Sequence, residues 1–266
     1  VLRFPHAEDT DVVAIEEPLE IRIAGDPLLV TMRTPGDDHA LALGLLYAEG
    51  FIRSAADVGT LTHCGRTEDE GYGNALEVIP ASGAQWHFEP IGMSKRGTLT
   101  TAACGVCGRQ SIDDLLKLCG EVPAGPVVAP SLIASAPELL RAAQTNFAQT
   151  GGAHAAMVLS ASGARLAFAE DVGRHNAVDK ALGALVRTGL IPAAREDESP
   201  ALLVISGRTS FEIVQKAAVA KVPIVVSISA ATSLAIELAQ RSGVTLVTFV
   251  RDGRFNVCAH RERISL

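Results

Sequence analysis

Between residues 16 and 32 the chain alternates. Leu19, Ile21 and Ile23 are separated by polar neighbours, and an apolar return from Leu28 to Met32 follows Gly25-Asp26-Pro27. A period of two places one side-chain set on one face of a strand, so this stretch predicts a β-hairpin turning at Gly25-Asp26-Pro27. The period then lengthens. Leu41, Leu45 and Leu46 predict a helix with Thr34 as N-cap, Pro35 in its first turn, Asp37 at the capping-box position and Gly50 as its stop. Short strands are expected within 58–90, around Leu76-Glu77-Val78-Ile79 and Trp86-His87-Phe88. Residues 92–110 read as a small-residue loop. A short helix follows, capped by Ser111, with Asp113 and Asp114 in its first turn, where carboxylates favour the helix dipole. Pro123, Pro126, Pro130 and Pro137 then mark a change of composition. Residues 121–136 are read as a linker between an N-terminal α+β lobe, 1–120, and a C-terminal α/β lobe, 137–266.

In that second lobe the pattern becomes regular. Helix 137–149 leads to strand 155–160, a turn at Ser162-Gly163, strand 165–170 and helix 174–188. Strand 201–206, helix 210–221, strand 223–229, helix 232–242 and strand 244–250 complete it. The last three strands are almost continuously apolar and are separated by helices, which indicates a sheet covered on both faces and at least partly parallel. Ligands of such sheets sit beyond the carboxyl ends of the strands. The segments there are Asp171 to Asn176, Ser206 to Ser210, Ser229 to Thr232 and Arg251 to Arg254.

Composition narrows the function classes. Hydrophobic residues make up 48% and charged residues 20% of 266 residues, an ordinary globular balance with material for a sizeable core. With 4% aromatics and a net charge of −7, the chain is not expected to bind nucleic acid, which needs stacking platforms and a basic surface. No apolar run reaches the ~20 residues of a membrane helix, and the N-terminus lacks a signal pattern, so no membrane association and a cytoplasmic location are expected. The five cysteines, Cys64, Cys104, Cys107, Cys119 and Cys258, are odd in number and irregular in spacing, which reads as reduced thiols. Cys64, Cys119 and Cys258 are expected to be structural, as small hydrophobes.

Candidate chemistry lies at four places. In Cys104-Gly105-Val106-Cys107-Gly108-Arg109 a thiolate, the working form of cysteine, would be stabilised by Arg109 and the nearby helix start. A second cysteine three residues on could attack a persulfide held by the first. Half a zinc site, a thioredoxin-like pair and two incidental thiols are the competing readings. No second CxxC supplies zinc with four ligands, and the βαβ context of a thioredoxin site is missing. Gly173-Arg174-His175-Asn176 opens a helix after a strand, so Arg174 and the backbone N–H groups could meet a phosphate and His175 could act as a base; a packing or capping histidine is the plain alternative. Ser206-Gly207-Arg208-Thr209-Ser210 repeats the strand–turn–helix arrangement without P-loop spacing. Phe249-Val250-Arg251-Asp252-Gly253-Arg254 lies in a tail that is net +3 from Arg241 onward, and arginine forks suit phosphate; its plain reading is a hairpin turning at Asp252-Gly253. Together with Ser229, these loops at one sheet edge point to a ligand with several phosphates.

The stretches Thr100 to Gly108, Asp171 to Lys180 and Ser206 to Glu212 resemble the FdhD family of formate dehydrogenase accessory sulfurtransferases, as do Glu16-Glu17-Pro18-Leu19 and the terminal Gly253-Arg254 and His260. The resemblance spans nearly the whole chain in the family's order, with one departure, Cys258 in place of an expected tyrosine. It implies a protein that accepts persulfide sulfur from a cysteine desulfurase. The sulfur is then passed to the molybdenum or tungsten bis-guanine-dinucleotide pterin cofactor before that cofactor enters formate dehydrogenase. By position Cys104 would carry the persulfide, with Cys107 as its partner, and Phe249 to Arg254 would lie on the cofactor, which is bound as substrate with no intrinsic metal. The resemblance further implies a cytidine-deaminase-like three-layer αβα sheet lobe and a homodimer, and the cofactor's nucleotide ends make guanosine diphosphate an expected fragment ligand. Two rivals are a non-catalytic chaperone that only holds the cofactor and a zinc deaminase. The deaminase expects His-x-Glu before Pro-Cys-x-x-Cys, whereas His260-Arg261-Glu262 follows the cysteine pair and no proline precedes Cys104.

Overall fold

The computed structural model describes residues 2–3, 7–8, 10–65, 72–86, 112–192 and 199–265. The first strands, β1 (Leu2–Arg3) and β2 (Ala7–Glu8), form a small antiparallel pair. β3 (Glu17–Ile23) and β4 (Asp26–Arg33) are the predicted hairpin, but its turn is Ala24-Gly25, one residue earlier than expected. Both turn residues have positive φ, 50° and 90°, the combination whose twist matches the flanking strands, and Pro27 then falls on an edge strand where its missing N–H costs nothing. β5 (Val58–His63) and β6 (Ala75–Pro80) complete a four-stranded sheet in the order β4-β3-β6-β5, with β3 and β6 parallel.

Helix α1 (Asp38–Ala48) starts three residues later than the capping pattern suggests. Gly36 at φ 105° and Asp37 at φ 54° cannot belong to a right-handed first turn. Thr34 is therefore no cap. Its hydroxyl accepts the Val172 N–H at 3.1 Å, tying the end of β4 to the segment before Arg174. After α2 (Ile112–Cys119), helix α3 runs Pro130–Ala143, and α4 (Thr145–Thr150) follows. α3 begins inside the stretch expected to be linker, seven residues before the predicted helix start. Pro130 suits the first helical position. Pro137 is accommodated within α3, where a proline costs about 3 kcal/mol, because Ile133, Ala136 and Leu140 bury one stripe on both sides of it.

The large sheet has the order β12-β11-β10-β9-β7-β8. Its strands are β7 (His154–Leu159), β8 (Arg165–Asp171), β9 (Leu202–Ile205), β10 (Ile224–Ser227), β11 (Thr245–Arg251) and β12 (Arg254–Ala259). The helices between them are α5 (Arg174–Thr188), α6 (Phe211–Val219) and α7 (Ser233–Ser242). β9, β10 and β11 are parallel, as their apolar runs predict; β7 and β12 run against them, and β8, antiparallel to β7, points the same way as β9.

Both faces of this sheet are covered, in an αβα arrangement. On one side Ile133, Ala136 and Leu140 of α3 pack over Ala155, Met157, Leu202, Val204, Ile224 and Val226. On the other, α5, α6 and α7 share one core with α1 and with Leu19, Ile21, Leu76 and Val78 of the small sheet. The alternation along β7, with Ala155, Met157 and Leu159 on one face and Ala156 and Val158 on the other, is why its run is apolar throughout. Within that shared core α1 crosses α5. At that crossing a Cβ on Gly44 would stand 1.9 Å from the Asp179 carbonyl oxygen, and one on Gly183 would stand 1.8 Å from that of Ala40, so the helix backbones touch.

Candidate functional site

The strand directions decide what is brought together. β8, β9, β10 and β11 all end on one edge of the large sheet, where antiparallel β7 and β12 begin. The predicted segments Asp171 to Asn176, Ser206 to Ser210, Ser229 to Thr232 and Phe249 to Arg254 are therefore all on that edge. Cys104 and Cys107, and the 92–110 loop that carries them, lie outside the described residues, as does Ser111.

The loops at this edge brace one another. Thr209 N–H donates to the Ala230 carbonyl at 2.9 Å, Thr232 N–H to that of Thr209 at 3.0 Å, and Phe249 N–H to that of Ser229 at 3.1 Å. The buried Ser227 hydroxyl donates toward the Gly207 carbonyl at 2.8 Å and accepts the Ser229 N–H at 3.1 Å. At the end of β11 the ladder is irregular between Thr248 and Arg251. There Phe249 adopts φ 54°, uncommon for an aromatic residue, and its ring is 43% exposed. Val250 turns into the core, so only its backbone can serve the edge. Asp252 and Gly253, at φ 52° and 71°, make the tight turn that pairs Arg251 with Arg254 and leaves both exposed.

Arg174, Arg208, Arg251 and Arg254 make no ion pair with any described carboxylate. The acids nearby have their own partners: Asp171 holds Lys180 at 2.8 Å and Glu212 holds His175 at 2.6 Å. Two buried polar atoms here lack a hydrogen-bond partner among the described residues, Thr209 Oγ1 and Arg174 Nε. An arginine-rich edge with unmatched donors is suited to an anion.

The Asp171 to Lys180 block divides into structural and accessible members. Asp171, fully buried, accepts from Thr34 N–H at 3.1 Å, Gly173 N–H at 2.8 Å and Asn176 Nδ2 at 3.1 Å besides Lys180. Lys180 Nζ also donates to the Thr34 carbonyl at 2.7 Å, and Asn176 Nδ2 to that of Met32 at 2.7 Å. Asp179 pairs with Lys216 of α6 at 2.6 Å. Burial acts against the Lys216 charge, yet Asp179 and Glu49 outweigh it and hold the ammonium protonated beyond the ordinary lysine range. These residues join elements. Arg174 and His175, in the first turn of α5, remain half-buried at the edge, and His175 Nε2 also lies 3.0 Å from Ser210 Oγ.

His154 was not singled out by sequence reasoning. It opens β7 beside the Ser206-Gly207 turn, with Nδ1 3.4 Å from Ser206 Oγ. Burial, then Arg174 and His175, lower its pKa against the opposing pull of Asp171, so the ring is neutral at pH 7. A histidine at a strand start is the sole signal in the sequence, and it identifies nothing until strand order is known. Ser227 was not singled out either, whereas Thr209 lies in the predicted Ser206 to Ser210 turn.

The remaining candidates fall elsewhere. Cys119 is buried as expected, Cys64 and Cys258 are half-buried, and Cys258 Sγ on β12 lies 3.4 Å from Thr248 Oγ1 on β11. His260 follows the far end of β12, at the edge opposite the arginines. Its Nδ1 is engaged by Glu262 at 2.8 Å and its Nε2 by the Gln240 carbonyl at 2.9 Å. Neither ring nitrogen is left for a metal, which removes the support for a deaminase-type His-x-Glu.

Comparison with known proteins places the chain in a family. The FdhD/NarQ family model matches residues 14–265. The sulfur carrier protein FdhD of Anaeromyxobacter sp. (strain K) is 54% identical over 257 residues, 96% of this chain and 89% of that protein. The sulfur carrier protein FdhD of Streptomyces avermitilis is 42% identical over 261 residues, 96% and 90% of the two chains. Among solved structures, a putative formate dehydrogenase accessory protein from Desulfotalea psychrophila superposes with a TM-score of 0.73 at 24% identity, covering 100% of this chain and 96% of that one, so the fold is shared. With a family model matched from near its start to its end, and relatives above half identity over nearly all of its length, this chain belongs to the FdhD/NarQ family.

Proposed function

We propose that this chain is a cytoplasmic sulfur carrier for formate dehydrogenase maturation. Cys104 takes sulfur from a cysteine desulfurase, and the recipient is the molybdenum or tungsten bis-guanine-dinucleotide pterin cofactor, bound as substrate. The observation that carries the reading is the convergence at one edge of Arg174, Arg208, Arg251 and Arg254 with the unpartnered Thr209 Oγ1 and Arg174 Nε, a setting suited to a ligand with several phosphates. The name sulfur carrier protein FdhD, borne by relatives 54% and 42% identical, supports the sulfur side.

The thiol chemistry follows from the motif. The Cys104 thiolate attacks the outer sulfur of the desulfurase persulfide. The S–S bond of the donor breaks, a new one forms on Cys104, and the donor cysteine leaves as thiolate. For delivery, the Cys107 thiolate attacks the inner sulfur of the Cys104 persulfide, giving a Cys104–Cys107 disulfide and expelling hydrosulfide. Phosphates of the cofactor meet the arginines and the half-buried Ser206, Ser229 and His175, with Phe249 as an exposed ring and Gly207, Val250, Asp252 and Gly253 shaping the backbone. A homodimer would place two such edges at the two nucleotide ends of one cofactor.

The deciding experiment is mass spectrometry of the protein after incubation with a cysteine desulfurase and cysteine. Sulfane sulfur on Cys104, absent from Cys104→Ala, is the expected result, together with loss of formate dehydrogenase maturation in that variant. Maturation that survives in Cys104→Ala would leave the second reading, a protein that only holds the cofactor.

A further inference from the structure

We infer that His154 is a ligand-reading residue of the arginine-lined edge, donating from its Nε2 to the phosphates or ribose of a bound nucleotide. The inference rests on the proposal that a nucleotide diphosphate binds there. His154 opens β7, and the registers of β7 with β8 and β9 place it opposite Asp171 and alongside the Ser206-Gly207 turn. Its ring occupies the space over Gly207: a Cβ there would meet His154 Nδ1 at 3.3 Å, His154 Cε1 at 3.4 Å and Arg174 Cδ at 3.5 Å. The imidazole and the Arg174 stem therefore share the gap that the missing side chain leaves, and the glycine lets both close on the turn.

The ring is oriented by one side only. The Ser206 hydroxyl accepts the Ala155 N–H at 2.9 Å and lies beside His154 Nδ1. Nε2 has no hydrogen-bond partner among the described residues, nor is it one of the buried unpartnered atoms, so it is open to whatever occupies the edge. Fixing one ring nitrogen against the protein while the other stays open is how histidines are aimed at ligands. The charged groups facing the ring are Asp171 of β8 and Arg174 and His175 of α5, and His175 in turn holds Glu212 of α6. Since Asp171 is already paired with Lys180, the net surroundings are cationic, and a neutral imidazole adds a donor without adding to the crowding of positive charge.

The test is calorimetric titration of guanosine diphosphate into wild type, His154→Phe and His154→Gln, at about pH 8 and about pH 5.5, either side of the ordinary imidazole range. Phenylalanine fills the space over Gly207 without a hydrogen-bonding edge, and glutamine keeps an N–H donor but cannot titrate. His154→Phe is expected to bind about tenfold more weakly at the higher pH, the loss typical of one hydrogen bond to a charged group. His154→Gln should stay within about threefold there. At the lower pH only wild type should gain from the protonating ring, so the ratio of wild-type to His154→Gln affinity should rise. A role in packing alone would change affinity without changing that ratio. If His154→Phe and His154→Gln bind as wild type does at both pH values, the inference is overturned. A His154→Phe that fails to fold, shown by circular dichroism, leaves the decision to the pH dependence of His154→Gln. Failure of wild type to bind guanosine diphosphate at all would overturn the nucleotide reading of the edge, and this inference with it.

Discussion

Asp171 and Lys180 show how a motif can be both recognisable and inaccessible. The carboxylate is fully buried and surrounded by four donors, one of them the Lys180 ammonium at 2.8 Å. Removing one partner of such a pair leaves an uncompensated buried charge, which costs about 3–5 kcal/mol. Lys180→Met keeps the length of the side chain and should destabilise the protein by that amount, measured by urea unfolding against wild type. A loss below about 1 kcal/mol would mean that the pair behaves like an exposed one. Neither residue touches the exposed edge. They hold the Gly173-Arg174 turn, and with it the two members of the block that remain available to a ligand.

At the scale of elements, α1 and α5 pack backbone against backbone where they cross. Gly44 and Gly183 each face a carbonyl oxygen of the opposing helix so closely that any side chain must move a backbone. Gly44→Ala and Gly183→Ala are both good helix substitutions by propensity, worth up to about 1 kcal/mol in favour of alanine. The structure predicts the opposite sign, with losses above about 4 kcal/mol or insoluble protein. Soluble expression and thermal unfolding of the two variants would show which effect wins. Elements whose signal is local were legible in the sequence. α5, predicted at 174–188, is found at Arg174–Thr188, and β7 to β11 lie within two residues of their expected ends, while β12 had no predicted bounds. The two errors have different causes. α1 starts late because two residues adopt left-handed conformations that their side chains do not announce, and α3 starts early because burial of one stripe outweighs an internal proline. Arg174, Arg208, Arg251 and Arg254 could be grouped from sequence, since parallel strands carry their following loops to a common edge. His154 could not, because its place depends on β7 running the other way.

For the whole molecule, two described histidines have depressed pKa values. Partial desolvation lowers the pKa of the exposed His39, with His63 and Arg187 adding to the effect, and burial with Arg174 and His175 lowers that of the half-buried His154. In the unfolded chain both rings titrate near ~6.5, so below that value the unfolded state binds more protons than the folded one. The stability owed to the neutral rings is thus fully present above the unfolded pKa and is lost as pH falls toward the depressed folded values. The thermal midpoint should fall between about pH 7 and about pH 5, and the fall should be shallower in a His39→Gln, His154→Gln double variant. Identical slopes for the two proteins would show that the rings are not the cause. No helix among the described residues is long and apolar enough to cross a membrane.

The bracing at the sheet edge has a further consequence. The turns after β9, β10 and β11 are short, and each is fastened to its neighbour through Thr209, Ser227 or Phe249. Fixing the backbone of one residue costs roughly 1–2 kcal/mol of conformational entropy. At this edge that cost falls on folding, where the whole core opposes it, rather than on association. A nucleotide bound as proposed would meet turns already braced, so its encounter would not wait for loops to order and little of its interaction enthalpy would be offset by their loss of freedom.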